Sequence, residues 1–436
     1  MLKRYYEQTF QVDCLETSEG SDKPSIRMFS TDSTTNSSWL SIYLIARFGS
    51  VHLKLTDSAG RLHRLPEGTQ HYIEHLTYRQ HLHDALSHIE LEYSVTPNAV
   101  VTHNQTIWFA DRVKLDRSRG VSQALDIAKH LMSVLWPPPT EHMDNIRLDG
   151  VARDVRTELI HRHTDVTYFD VINLFATLYP DHPMRYDLLG SEESIASITA
   201  SDVALGLQAL QSSVRSVNFF GTNLPDGLVD AASELVDGMR PKCIEPLMLH
   251  EPVSRANSLK TAGFPSKREN ARAMVGFRLA PFRTGLSEER DIRRFLTEKV
   301  LHFRHFHGTP LPMHVSWPHA RAMYGAANLD PLFYIDPERL RGVVTDVVAA
   351  MKKALQKAAG PGFNAAIEMK FSELHERREL VAMLASAADL FGWPLPELID
   401  ALPTLTADDC RSIIEEVVAA SASASLAYMS PCVGLV

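Results

Sequence analysis

Between residues 240 and 270 the hydrophobic periodicity of this chain breaks off. RPKCIEPLMLHEPVSRANSLKTAGFPSKREN mixes proline, serine and charge with no repeat of 2 or of about 3.6 residues. Such a stretch reads as an interdomain linker. It divides a chain of 436 residues, too long for one ordinary domain, into two parts of similar element order. In the first part, IRMF sits as a short strand in the polar stretch 18–38, and WLSIYLIARFG (39–49) has the β-branched, aromatic content of a central strand. Helical spacing follows over 66–81, with Thr69 as its cap, then strand alternation over 93–113. Helical patterns cover 121–136, 141–165, 165–179 and, capped by Thr199, the run to Leu210; a strand (214–221) and a helix (224–239) close the part. The second part repeats the theme: strand 271–279, helix 287–303, strands within 313–335, helices over 337–358, about 362–391 and 394–418, and a last strand at 424–430. The expectation is an α+β fold of two related domains, 1–239 and 271–436, each a mainly antiparallel sheet packed with helices and joined by the 240–270 linker.

Composition removes several functions. The net charge of -9 leaves no basic surplus for nucleic acid. Cys14, Cys243, Cys410 and Cys432 stand far apart with no CxxC pair, so neither a disulfide framework nor a thiolate zinc knuckle is expected, and a reducing compartment fits. The start, MLKRYYEQTFQVDCLE, lacks the apolar core of a signal peptide, and no run of 18 uncharged apolar residues occurs. A cytoplasmic location without a membrane span is expected.

The strongest local signal is His71-Tyr72-Ile73-Glu74-His75. On a helix, positions i and i+4 lie one turn apart on one face, so both imidazoles can grip one ion. Glu74 falls on the same side, and the order HxxEH is the inverted zinc-peptidase motif, with Glu as base and not ligand. A catalytic zinc takes three protein ligands, so a third must come from elsewhere, and the charged pattern 141–165 offers Glu158. The competing reading is a surface helix with idle histidines, since the chain has 20 His and close pairs arise by chance. His81, His83, His88, His161 and His163 fit that reading better than they fit catalysis.

PEGTQHYIEHL resembles the pitrilysin/insulinase-type zinc peptidases, where a Gly and a small loop precede HxxEH. The family's Val-x-x-Glu-Leu/Ile helix is matched by Val155 to Leu159, with Glu158 placed 83 residues after His75. Its His-Pro and later Gly-Ser are matched by His182-Pro183 and Gly190-Ser191, with Ile195 beyond. Asn98-Ala99 resembles its active-site edge strand. In length and order the chain is similar to the small bacterial branch near the mitochondrial processing peptidases. The specific motifs cover most of 40–220; over 270–436 the likeness is one of element order. The resemblance implies Zn2+ held by His71, His75 and Glu158, Glu74 as general base, and a substrate-pairing strand over Asn98, Ala99, Val100, Val101 and Thr102.

Two positions depart from the family. The supporting Glu two turns before Glu158 is Val151 here; Asp154, one turn before Glu158, either takes that supporting place or is a solvated helix residue. In the second domain Arg304, one turn before Gly308, matches the substrate-gripping Arg or is an ordinary helix-end cation. The Tyr place after that Gly is Leu311, with Tyr324 as a candidate at the wrong spacing. An incomplete second half implies pairing with a related subunit, or with a second copy, around a chamber. The function implied is a zinc-dependent endopeptidase of peptides or unfolded segments, with leader removal from a precursor peptide as one role. The alternative is a non-catalytic peptide-binding partner subunit.

Overall fold

The computed structural model describes residues 10–15, 24–31, 38–77, 93, 97–116, 119–135, 145–237, 244–246, 260–266, 272–279, 282, 289–302, 313–317, 320–328, 337–358, 378–420 and 425–431. In chain order the first elements are β1 (Phe10–Leu15), β2 (Ser25–Thr31), β3 (Trp39–Ala46), β4 (Lys54–Asp57), β5 (Leu62–Arg64), α1 (Thr69–Thr77), β6 (Pro97–Val101) and β7 (Thr106–Lys114). There follow α2 (Gly120–Leu135), α3 (Asn145–Thr164), α4 (Val166–Leu178), α5 (Glu192–Ser197), α6 (Ala200–Ser212), β8 (Val214–Thr222), α7 (Leu228–Asp237) and β9 (Ile244–Pro246). The remainder is β10 (Lys260–Ser266), β11 (Arg272–Leu279), α8 (Glu289–His302), β12 (Met313–Trp317), β13 (Ala320–Asn328), α9 (Pro337–Ala358), α10 (Arg378–Phe391), α11 (Leu395–Ala401), α12 (Ala407–Ala420) and β14 (Ser425–Pro431).

The strands form two large sheets, ordered β1-β2-β8-β3-β7-β6 and β10-β14-β11-β13-β12, and a small one, β5-β4-β9. Both large sheets are antiparallel except for one pair each, β2 with β8 and β10 with β14. From β2 onward the connectivity of the first sheet is that of the second. Apart from β1, an added antiparallel edge strand on β2, one strand (β2 or β10) runs parallel to the closing strand (β8 or β14), which pairs with the next strand in sequence, followed by an antiparallel hairpin at the edge. The α+β expectation of two related sheets therefore holds at the level of strand register. The 240–270 stretch is not bare connection: β9 completes the small sheet and β10 opens the second large one. Alternation over 260–266 is blurred by Gly263 and Pro265, and the pairing partner, β14, lies at the far end of the chain.

Compact grouping assigns 1–160, 187–249 and 373–396 to one unit, and 161–186, 250–372 and 397–436 to the other. Each unit thus takes one segment from the opposite half of the sequence. In the first unit β3 is buried along nearly its whole length, and its run is apolar except for the buried Ser41, as suits a strand covered on both faces. Helix α2 packs against it, and so does α10, which also lies on β8. A polar spine fixes α10: the Arg27 guanidinium on β2 donates to Asp389 at 2.7 Å, with both side chains at most 5% exposed. Ser216 on β8 donates to the other carboxylate oxygen of Asp389, and Asn218 Nδ2 donates to Ser216 Oγ at 2.7 Å. In the second unit, α4 lies on β10, β11 and β14. Gly276 on β11 permits this approach, since a Cβ there would come within 2.8 Å of Leu178 Cδ1 and 3.2 Å of Leu174.

Sequence reading of helix ends is right at α6, where Thr199 and Asp202 form a reciprocal capping box. It is wrong at Thr69, which is the first helical residue of α1; Gly68 accepts the first helical bond, from Tyr72 N–H at 2.9 Å, and the Thr69 hydroxyl donates back to Pro66 at 2.7 Å. The remainder of the 66–81 pattern and the opening of the 362–391 pattern lie outside the described residues.

Removing one partner of a buried ion pair strands the other charge, at a cost of about 3–5 kcal/mol. Asp389→Ala is expected to lower unfolding free energy by that amount in chemical denaturation. The Arg27→Met/Asp389→Leu pair is expected to recover most of the loss.

Candidate metal centre

Helix α1 is short and lies buried on most sides: Thr69, Gln70, His71, Tyr72, Ile73, Leu76 and Thr77 are all buried. Burying so many polar groups requires that each be anchored. Gln70 Nε2 donates to the His52 carbonyl at 2.8 Å. The Tyr72 hydroxyl donates to the Leu148 carbonyl on α3 at 2.5 Å, and burial pushes its pKa up to about 12, so it keeps the proton it donates. Helix α6 closes another side through Gly206, where a Cβ would meet Ile73 Cδ1 at 2.3 Å.

The start of α1 rests on two glycines. Gly68 (φ 81°) and Gly190 (φ 84°) are both left-handed, and their backbones touch across the loop. A Cβ on Gly68 would sit 2.3 Å from the Leu189 carbonyl oxygen, and one on Gly190 would sit 2.6 Å from that of Glu67. Neither conformation nor space admits a side chain. This clasp gives physical meaning to the Gly before HxxEH and the Gly of the Gly-Ser pair. Sequence reading quoted both glycines but did not assign them this contact.

Helix α3 presents a stripe of Leu148, Val151, Val155 and Leu159 to the core, the 3.6-residue period of a buried face. Glu158 lies at the border of that stripe and is carried toward α1. Its Oε2 stands 3.0 Å from His75 Nε2 and 3.3 Å from His71 Nε2. The other nitrogen of His71, Nδ1, stands 3.1 Å from Glu74 Oε2. His71, His75 and Glu158 therefore converge on one point, with Glu74 on the opposite side of the His71 ring.

The charges are coupled. Burial lowers the His71 pKa, but hydrogen bonds to Glu158 and Glu74 outweigh it and hold the group at about 9. Hydrogen bonds from His71 and then His75 hold Glu158 well below the usual carboxylate range.

The donor set fits a divalent ion. Zinc ligands at about 2.0–2.1 Å in a tetrahedron lie about 3.3–3.4 Å from one another. The 3.0 and 3.3 Å separations of the two Nε2 atoms from Glu158 Oε2 are close to those edges. His71, Glu74 and His75 by themselves also bring donor atoms within 4.8 Å of one another. Glu74 engages the far nitrogen of His71, so Glu158 is the carboxylate on the side the two Nε2 atoms share.

The remaining expected residues fall as follows. Asn98 to Val101 lie on β6, the edge strand of the first sheet, in contact with α1; Thr102 begins the turn beyond it. Val100 is 43% exposed there, and Asn98 Oδ1 accepts the Ala99 N–H at 2.8 Å. Asp154 is half-buried one turn before Glu158, and Val151 is buried. Tyr324 lies on β13 in register with Gly276 and Met313. Arg304, Gly308 and Leu311 lie outside the described residues.

No protein-family model matches the chain. It is 26% identical over 197 residues to a probable mitochondrial-processing peptidase subunit beta of Schizosaccharomyces pombe, covering 42% of this chain and 39% of that protein. The match thus spans well under half the length of its relative. Among solved structures, a protease from Helicobacter pylori matches with a TM-score of 0.70 at 12% identity, over 97% of this chain and 100% of that one. A peptidase M16 inactive domain from Pseudomonas fluorescens matches with a TM-score of 0.64 at 13% identity, over 97% and 98%. The chain has the fold of the M16 peptidases, and the curated match supports the pitrilysin/insulinase-like family its motifs resemble. Among the described residues no helix is long and apolar enough to cross a membrane.

Two outcomes are expected at this centre. Gly190→Ala is expected to cost about 1–3 kcal/mol through strain and to weaken metal binding by displacing α1, read by thermal melts and metal titration. His71 holds its proton up to about pH 9 without metal, against 6.5 for a free imidazole, so its stabilising effect is complete below 6.5 and fades as pH rises through 9. Metal binding must displace that proton, so calorimetry at pH 7 in buffers of different ionisation enthalpy is expected to record proton release.

Proposed function

We propose that this chain is a zinc-dependent endopeptidase acting on extended peptides or unfolded segments. The observation that carries the reading is the meeting of His71, His75 and Glu158 within 3.3 Å, with Glu74 beside them. Zinc held by those three residues would polarise a scissile carbonyl and bring the pKa of a water down toward about 7. Glu74 takes the proton of the attacking water as base. It then returns that proton to the departing amine nitrogen, which balances the hydrolysis. Strand β6 supports the binding half of the reading: it is a sheet edge, it opens with Pro97 as edges tolerate, and it contacts α1. An extended peptide added there gains main-chain hydrogen bonds with little sequence preference. Asp154 is assigned support of Glu158, and Arg304 of the second half is assigned a grip on the substrate.

The matched relative is a subunit of a processing peptidase. That supports a working dimer, with a related partner or with a second copy, and removal of a leader segment as a substrate class. The proposed location is cytoplasmic. A second reading, a peptide-holding subunit without catalysis, draws on the Pseudomonas neighbour described as inactive. Retention of both imidazoles, Glu158 and Glu74 favours the first.

Metal analysis and peptide digestion of three proteins decide between them. Wild type is expected to hold one zinc and cleave. His71→Ala is expected to lose the metal. Glu74→Gln is expected to keep it while losing about 100- to 10,000-fold in turnover. Equal metal content in all three would sink the assignment, and metal without cleavage in wild type would establish the second reading.

A further inference from the structure

Helix α10 comes from the far end of the sequence, yet it grips the turn that ends strand β6. Gln105, in that turn, is 3% exposed. Its side-chain amide is used at both ends by one residue of α10: Nε2 donates to the Ser386 carbonyl at 2.8 Å, and Oε1 accepts from the Ser386 hydroxyl. The backbone of Gln105 is also tied. Its carbonyl accepts from Thr102 N–H at 2.8 Å, and its N–H donates to Thr102 Oγ1 at 3.0 Å. A glutamine held at four points is a fixed hinge pin for the β6–β7 turn.

The turn is bonded in its own right to the loop under the metal helix. Ser50 N–H donates to the Thr102 carbonyl and Val51 N–H to the His103 carbonyl, both at 3.0 Å. Gly49 lies so close that a Cβ would stand 2.5 Å from both the Thr102 carbonyl oxygen and the Gln105 nitrogen. Two residues on, the His52 carbonyl accepts from Gln70, the neighbour of His71. Hydrogen bonds therefore link Ser386 to Gln105, Gln105 to Thr102 and Thr102 to Ser50, and the short covalent stretch Ser50–His52 carries the connection on to Gln70. All of these residues belong to the first compact unit. Asp389, one turn after Ser386, is anchored separately by Arg27 and Ser216, which fixes the helix on which Gln105 leans.

We propose that Gln105 is a positioning residue. Clamped by Ser386 of α10, it sets the register of edge strand β6 against the metal helix, and so governs the binding of an extended peptide and not the metal. The peptide-binding part rests on the peptidase reading above; the positioning part does not. Buried polar networks that are fully satisfied hold one arrangement over its neighbours, which gives such a clamp its effect.

The test uses the full chain with Gln105→Ala, Ser386→Ala and the double variant. Three quantities are read: zinc content, amide hydrogen exchange over residues 97–106, and KM and kcat for an extended peptide. Zinc content is expected to stay at the wild-type level. Exchange over 97–106 is expected to quicken about tenfold in Gln105→Ala, and less in Ser386→Ala, which keeps the carbonyl contact. The double variant is expected to match Gln105→Ala, because both changes break one clamp. KM is expected to rise about tenfold, with kcat changed by less than twofold. Unchanged exchange over 97–106 overturns the proposal, whatever the activity. Faster exchange with unchanged KM reduces Gln105 to a structural residue and also overturns it. If wild type cleaves no peptide, the peptidase reading fails, and exchange alone then decides whether Gln105 positions the strand. Should Gln105→Ala fail to fold, Ser386→Ala carries the same readouts.

Discussion

Two imidazoles on one helix turn must face a carboxylate on another helix, 83 residues away along the chain, with errors well under an ångström. Side chains alone do not achieve that; the helices must be fixed first. Here the fixing is done by backbone. Gly68 and Gly190 let two loops touch where any side chain would intrude, and the Tyr72 hydroxyl reaches from the histidine helix to the Leu148 carbonyl at the head of the glutamate helix. Gln70 binds the same short helix to the loop at His52. Around this frame the acid and the two bases settle into one hydrogen-bonded cluster.

The two large sheets share one wiring plan, down to a single parallel pair in each. In that plan β12 takes the place in the second sheet that β6 takes in the first, each at the edge beyond its hairpin partner. The HxxEH helix has no counterpart motif in the second half of the sequence. The repeated architecture therefore carries the HxxEH motif once in the sequence, on the half that holds the first sheet.

Much of this was legible in the sequence, and the reasons differ by element. The helix at His71 announced itself because ligand spacing and helical period coincide. Strand β3 was visible because a strand covered on both faces is apolar along most of its length. Glu158 was first one acidic candidate on a charged helix and was singled out by the family resemblance, since nothing in a carboxylate's local neighbours reveals what it faces. Strand β10 was hidden, because its justification is a partner at the opposite end of the chain and its own residues include Gly263 and Pro265. Thr69 misled because a hydroxyl one residue inside a helix looks like one residue outside it. Neither the Arg27–Asp389 pair nor the Gln105–Ser386 clamp leaves a trace in sequence, for each joins residues separated by more than half the chain.

The exchange of helices between halves bears on how the chain is made. Sheet β1-β2-β8-β3-β7-β6 is complete once β8 leaves the ribosome, but one surface waits for α10, which follows β8 by more than 150 residues. Until then β3 and β8 lack the helix that covers them, and Arg27 lacks its carboxylate. A nascent chain with such a gap holds apolar surface uncovered in the interval, when aggregation competes with folding. Completion of the first compact unit is therefore deferred until residues 378–391 have been made, so the frame that brings His71, His75 and Glu158 together gains its last helix long after the three residues themselves.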